Sequence, residues 1–82
     1  MTAAEMIDEK RLFISRIQDL LLSDPRSDVK TLSYSARMNK GHIAEERIQI
    51  EFTDGGIKDI CATGNSNGAN LKAIARAVYG AY

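Results

Sequence analysis

The chain of 82 residues holds one cysteine, Cys61, one histidine, His42, and one proline, Pro25. A lone cysteine excludes the internal disulfide framework that staples many small secreted domains, and it favours a reducing compartment. One histidine beside one cysteine falls short of a zinc site or a catalytic triad, each of which needs several convergent partners. No apolar run approaches the roughly 20 residues that span a bilayer. The opening Met1-Thr2-Ala3-Ala4-Glu5 has neither the basic start nor the apolar core of a signal peptide. The expectation is a cytoplasmic chain with no membrane contact. Charge of one sign is also missing: 11 Lys and Arg balance 11 Asp and Glu to a formal net charge of zero. No global field therefore draws in a polyanion, and nucleic acid binding would need a local basic patch.

The length suits one domain, residues 1–82, with a thin core, since a chain of this size buries only roughly 60 to 65% of the surface its unfolded form exposes. Self-association is a natural way for such a domain to gain stability.

Thr2 and Glu5 have the spacing of a capping box, which starts a helix over about residues 3–23. Met6, Ile7, Phe13, Ile14, Ile17, Leu20 and Leu21 recur at helical spacing and form one apolar stripe. Lys10 interrupts that stripe, and Leu12 and Leu22 fall outside it. Ser23-Asp24-Pro25 ends the helix, because proline disfavours helical geometry in the residue before it.

Residues 31–38 alternate, with Leu32, Tyr34, Ala36 and Met38 on one face and Thr31, Ser33, Ser35 and Arg37 on the other. After a turn at Asn39-Lys40-Gly41-His42, a second strand places Ile48, Ile50 and Phe52 against Arg47, Gln49, Glu51 and Thr53. Asp54-Gly55 suits a tight two-residue hairpin turn with both residues at positive φ. A third strand follows over about residues 56–63, with Ile57 and Cys61 on one face and Ile60 and Ala62 on the other. Leu71, Ile74, Ala75 and Val78 then give a second helix its stripe. The expected fold is α+β in the order α-β-β-β-α: a three-stranded antiparallel sheet with two helices packed on one face. Its core would consist of Phe13, Ile17, Leu20, Leu21, Leu32, Tyr34, Ile48, Ile50, Phe52, Leu71, Ile74 and Val78. The other sheet face, carrying Ser33, Ser35, Arg37, Arg47, Gln49, Glu51 and Lys58, would meet water or a partner.

Candidate sites are sparse. The loop of Gly64, Asn65, Ser66, Asn67 and Gly68 precedes a helix and could hold an anion on free N–H groups at the positive end of the helix dipole. A phosphate-binding P-loop would follow its second glycine with lysine and Ser or Thr, whereas Ala69-Asn70 stand here, and the plain strand-to-helix connection is the simpler reading. His42 reads as a turn histidine and Cys61 as a small buried hydrophobe. Glu45 and Glu46 are adjacent in a strand pattern, so they point to opposite faces and cannot share a substrate. They read as a solvated hairpin end. No cofactor or metal site is expected.

The α-β-β-β-α order, Gly41-His42 ahead of the second strand, Gly55-Gly56 in the hairpin and Gly64-Asn65-Ser66 before the last helix together resemble the double-stranded-RNA-binding domain. The likeness covers most of the chain. That family carries Gly-Pro-x-His in its first hairpin, where Lys40-Gly41-His42 stands here without proline, and a lysine-rich phosphate clamp where Asn65, Ser66, Asn67 and Gly68 stand. The resemblance implies the architecture, and for activity it implies binding of double-stranded RNA or DNA through Lys40, His42, Arg47, Lys72 and Arg76. Against it stands the reading from composition: a small non-enzymatic interaction or assembly module of the bacterial or phage accessory type, acting as a homodimer or with a protein partner. A three-stranded sheet leaves two unpaired edges, which a symmetric dimer would cover.

Overall fold

Both ends of the first helix are closed by residues its sequence supplies for the purpose. In the computed structural model, which describes residues 1–80, helix α1 spans Ala3–Ser23. The Thr2 hydroxyl accepts the Glu5 N–H at 3.2 Å, and the Glu5 carboxylate accepts the Thr2 N–H at 3.2 Å, which completes the capping box. At the other end Asp24 is extended, φ −90° and ψ 117°, as the residue before Pro25 must be. Residues 81 and 82 of the expected domain lie outside the described residues.

Three antiparallel strands follow in the order β1-β2-β3: β1 over Val29–Asn39, β2 over His42–Phe52 and β3 over Ile57–Cys61. Helix α2 spans Asn67–Tyr79. Its N-cap Ser66 accepts the Ala69 N–H, and it ends at Gly80 in the left-handed conformation, φ 72°. This is the expected α+β fold. The first hairpin is longer than its alternation suggests, 11 residues in each strand, and it sets the 41 Å length of the molecule. Alternation fails to reveal the start of β2 because Arg37 pairs with Glu45 while Met38 pairs with Ile43, so Ala44 is an extra residue in that strand.

The geometry expected of the second hairpin turn is found in the first. Lys40 (φ 51°) and Gly41 (φ 79°) both have positive φ, the condition for a type I′ two-residue turn. At the second hairpin that condition is not met. Gly55, φ 90°, is left-handed, but Lys40 is the sole non-glycine with positive φ among the described residues. The loop has three residues, Thr53, Asp54 and Gly55, closed by Gly55 N–H to Phe52 O at 3.0 Å and Phe52 N–H to Gly56 O at 2.8 Å. Asp54 causes the difference: its carboxylate accepts the Gly56 N–H at 2.8 Å, an Asx turn that leaves only Gly55 to bend back.

One core joins Ile7, Ile14, Ile17 and Leu21 of α1 to Val29, Leu32 and Tyr34 of β1, Ile48 and Ile50 of β2, Ala62, and Ile74 of α2. Phe13, Phe52 and Val78 pack at its margin. Two expected core residues are on the surface instead: Leu20 is 72% exposed and Leu71 47%. Each helical residue is rotated by about 100° from the last. With Leu21 turned to the sheet, Leu20 is carried out of it, and with Asn70 and Ile74 buried, Leu71 faces away. Lys58 is also displaced from its expected place on the outer face. Paired with Ile50, it points to the helix side, where Nζ donates to the Ala77 carbonyl at 3.0 Å and lies 5.6 Å from the centre of the Phe52 ring. The Tyr79 hydroxyl donates to Asp24, so the C-terminal ends of the two helices are tied together.

Ile50→Ala should cost roughly 2 to 5 kcal/mol, and Phe52→Ala less than the 3 to 5 kcal/mol typical of a wholly buried phenylalanine. Leu20→Ala should stay within about 0.5 kcal/mol. Gly55→Val should destabilise although nothing lies within 4 Å of an added Cβ, because a β-branched residue is strained at that φ. Urea unfolding of the four variants checks this, and a Leu20→Ala cost equal to that of Ile50→Ala would mean α1 is rotated from the orientation described.

Candidate functional site

The alternation that places Ile48 and Ile50 beneath the helices places Glu46 there as well, 3% exposed. Three segments converge on its side chain. Oε1 accepts Lys10 Nζ of α1 at 2.6 Å and the Tyr34 hydroxyl of β1 at 2.6 Å, and Oε2 accepts the Gly64 N–H of the β3–α2 loop at 2.9 Å. Its backbone is held too: Glu46 N–H donates to Thr63 Oγ1 at 3.0 Å, and its carbonyl accepts the Ala62 N–H at 3.0 Å. Glu46 is therefore not part of a solvated hairpin end, and Lys10 does not merely interrupt a stripe. The two pair across 36 positions of sequence, Glu46 buried and Lys10 half-buried. Glu45, its neighbour, faces the opposite way as strand geometry requires, bonded to Arg47 at 3.2 Å and close to Arg37 at 3.5 Å.

Burial pushes the Glu46 carboxyl up, but the Lys10 ammonium, the Tyr34 hydroxyl and the Gly64 N–H outweigh it and hold the carboxyl below the usual range. Tyr34 moves the other way. Burial first, then the adjacent carboxylate, lift its phenol well above the ordinary tyrosine value.

The loop read as a possible anion site thus already holds an anion, the protein's own. Gly64, φ 77°, presents its N–H to Glu46, Asn65 N–H bonds the Ala62 carbonyl at 3.0 Å, and Ser66 caps α2. Asn67 and Gly68 belong to the first turn of the helix rather than to the loop. Asn70, one turn further on, is wholly buried, and its side-chain amide meets no hydrogen-bond partner among the described residues.

The basic candidates are distributed over three surfaces. Lys40 and His42 sit at the tip of the first hairpin, where His42 lines a depression with Met1, Ala3, Met6, Gly41 and Ile43. Arg47 lies on the outer sheet face, while Lys72 and Arg76 are one turn apart on the solvent side of α2. The fold does not bring them into one line along which a nucleic-acid backbone could run.

The outer sheet face is polar, with Thr31 bonded to Glu51 and Gln49 to Asp59, each at 3.3 Å. Cys61, expected to be buried, is exposed there opposite Arg47, because the register of β3 turns odd-numbered residues outward. The backbone and hydroxyl of Thr63 hold its thiol below the ordinary value. Each sheet edge carries a feature that hinders pairing with another strand. The Leu32 N–H of β1 is taken by Gln18 of α1 at 2.7 Å, and β3 is only five residues long and carries Lys58 and Asp59.

Exposed leucines are found on the helix layer, beside the exposed Ile57 and Met38 of the sheet. Glu9, Leu12, Phe13, Arg16 and Asn67 line a depression between the start of α2 and the middle of α1. Asn67 near Arg16 at one end and Tyr79 at Asp24 at the other show that the helices run in the same direction. One turn beyond Arg16 and Asn67 stand Leu20 and Leu71. With Leu12, 54% exposed, these leucines form a strip that sequence periodicity assigned partly to the core.

Among the described residues no group of three or more His, Cys, Asp or Glu side chains could hold a metal ion, and no helix is long and apolar enough to cross a membrane. In comparisons with known proteins, no family model, no curated protein and no solved structure matches this chain.

Because the Glu46 pKa is depressed on folding, the stability it contributes is complete above its ordinary value of 4.5 and is lost as pH falls below that toward the folded value. Glu46→Ala should cost roughly 3 to 5 kcal/mol at neutral pH by leaving Lys10 buried without its partner. It should also flatten the fall in stability as pH drops below the ordinary value of 4.5. Denaturant melts at several pH values measure both, and an unchanged acid limb would show that the network contributes nothing to stability.

Proposed function

We propose that this chain is a non-enzymatic interaction module, acting in the cytoplasm, whose working surface is the helix layer. One observation carries the reading: Leu12, Leu20 and Leu71 are exposed on the two helices, while the opposite sheet face, apart from Ile57 and Cys61, carries polar side chains, several of them paired. A small domain gains by covering apolar surface it cannot bury alone, and a second protein surface, first of all another copy, is the covering this reading favours. The sheet edges offer less, with the Leu32 N–H of β1 taken by Gln18 and charge on the short β3.

The runner-up is duplex binding, which the resemblance to the double-stranded-RNA-binding domain implies. Strong duplex binding needs several Lys or Arg contacts along the phosphates, each releasing counterions. Lys40, His42, Arg47, Lys72 and Arg76 lie on three surfaces, and the loop N–H of Gly64 is already committed to Glu46.

Sedimentation velocity across the micromolar range should report self-association that Leu12→Asp with Leu20→Asp abolishes without loss of helical signal. A labelled RNA duplex titrated at two salt concentrations should bind no tighter than high micromolar, roughly the level of non-specific binding. Sub-micromolar binding that weakens steeply with salt and with Lys72→Ala and Arg76→Ala would overturn the module reading in favour of the nucleic-acid one.

A further inference from the structure

The charges bordering the leucine strip define the geometry in which a partner can meet it. Glu9 and Arg16 stand two turns apart on either side of Leu12, about 10 Å along the helix at 1.5 Å per residue, too far to pair with each other. Neither takes part in the ion pairs found among the described residues, which join Lys10 to Glu46, Arg11 to Asp8, Arg26 to Asp24, and both Arg37 and Arg47 to Glu45. They form an exposed acid and an exposed base at equal offsets from the point between Leu12 and Phe13.

Resting on the reading of the helix layer as the docking face, we propose that its occupant is a second copy of this chain, with the two α1 helices antiparallel about a two-fold axis beside Leu12 and Phe13. A two-fold interface is self-complementary, so each contact occurs twice. With the axis between residues 12 and 13, Glu9 of each copy meets Arg16 of the other, and Leu12 of each copy meets Leu12 and Phe13 of the other. Two ion pairs then flank an apolar centre, an arrangement in which the apolar contact supplies affinity and the charges set the register.

The alternatives are electrostatically worse. A parallel pairing sets Glu9 against Glu9 and Arg16 against Arg16. An antiparallel pairing shifted to place Leu12 over Leu20 of the second copy moves the axis to residue 16 and brings the two guanidinium groups together. Like charges opposed across an interface suppress that arrangement. Asp8 does not compete for Arg16, since Arg11 lies beside it at 3.9 Å, and Glu5 is engaged in the capping box with Thr2.

The test is charge reversal in the full chain, read as the dimer dissociation constant by sedimentation at low salt. Glu9→Arg and Arg16→Glu should each weaken the dimer roughly tenfold, since each places two like-charged pairs in the interface, and the double variant should return to within about twofold of wild type. In a Cys61→Ser background, Leu12→Cys should form a disulfide-linked dimer under mild oxidation, because the axis brings the two positions together. Single reversals without effect, in a protein that Leu12→Asp still makes monomeric, would overturn this register and leave the helix-layer reading standing. A dimer tightened by Arg16→Ala would place the axis at residue 16 and would likewise overturn it. A wild-type chain that stays monomeric throughout the micromolar range would overturn the register and the module reading together.

Discussion

A carboxylate taken out of water is stable only if its charge is matched and its lone pairs are filled, and Glu46 meets both conditions with groups drawn from α1, β1 and the β3–α2 loop. The requirement acts on all of them at once. Lys10 must lie on the sheet side of α1, Tyr34 must point under the helix, and Gly64 must turn its N–H inward. A rotation of α1 or a slip of the first hairpin by one residue would strand the charge in the core, a larger cost than any single apolar contact in the domain. Such a site need not add net stability over an apolar equivalent. Its effect is to separate one arrangement from its neighbours.

Once α1 is fixed by Lys10, the rest of its surface is assigned by rotation. Ile7, Ile14, Ile17 and Leu21 go to the core and Gln18 to the edge of β1, which leaves Leu12, Arg16 and Leu20 outside. The same reasoning follows α2. Its N-terminus is set by Gly64 and Ser66, and its far end by Lys58 and Tyr79. Leu71 is thereby left on the α1 side and uncovered. The exposed leucine strip is thus a consequence of where the buried charge sits.

How much of this the sequence discloses depends on how local each determinant is. The capping box at Thr2 and Glu5, the stop at Pro25, the alternation around Ile48 and Ile50 and the order of elements are local, and they are found where the pattern places them. The Lys10–Glu46 pair is not local. Read singly, each is a surface charge, and only the extra residue Ala44, visible once the strands are paired, shows why the alternation fails just before Glu46. Leu20 and Leu21 illustrate a different limit: apolar pattern admits both to one stripe, and a rotation of about 100° decides between them. Cys61 and Lys58 went to the wrong faces for the same reason at strand period, since β3 is short and its polar and apolar residues do not alternate cleanly.

Duplex binding and docking of a second protein are the two readings proposed for this domain, and what separates them is where positive charge can act. Its most constrained lysine, Lys10, is spent on the core, and Lys58 on the end of α2. Gly64, ahead of the last helix, is turned inward to a carboxylate. Cations and N–H groups committed inside the molecule cannot also neutralise an external polyanion, and those left outside are dispersed over the hairpin tip, the sheet face and α2. The exposed leucines of the helix layer, Leu12, Leu20 and Leu71, have an acid and a base beside them, Glu9 and Arg16. A surface of that kind discriminates through contact area and opposed charge, the terms on which one folded protein selects another.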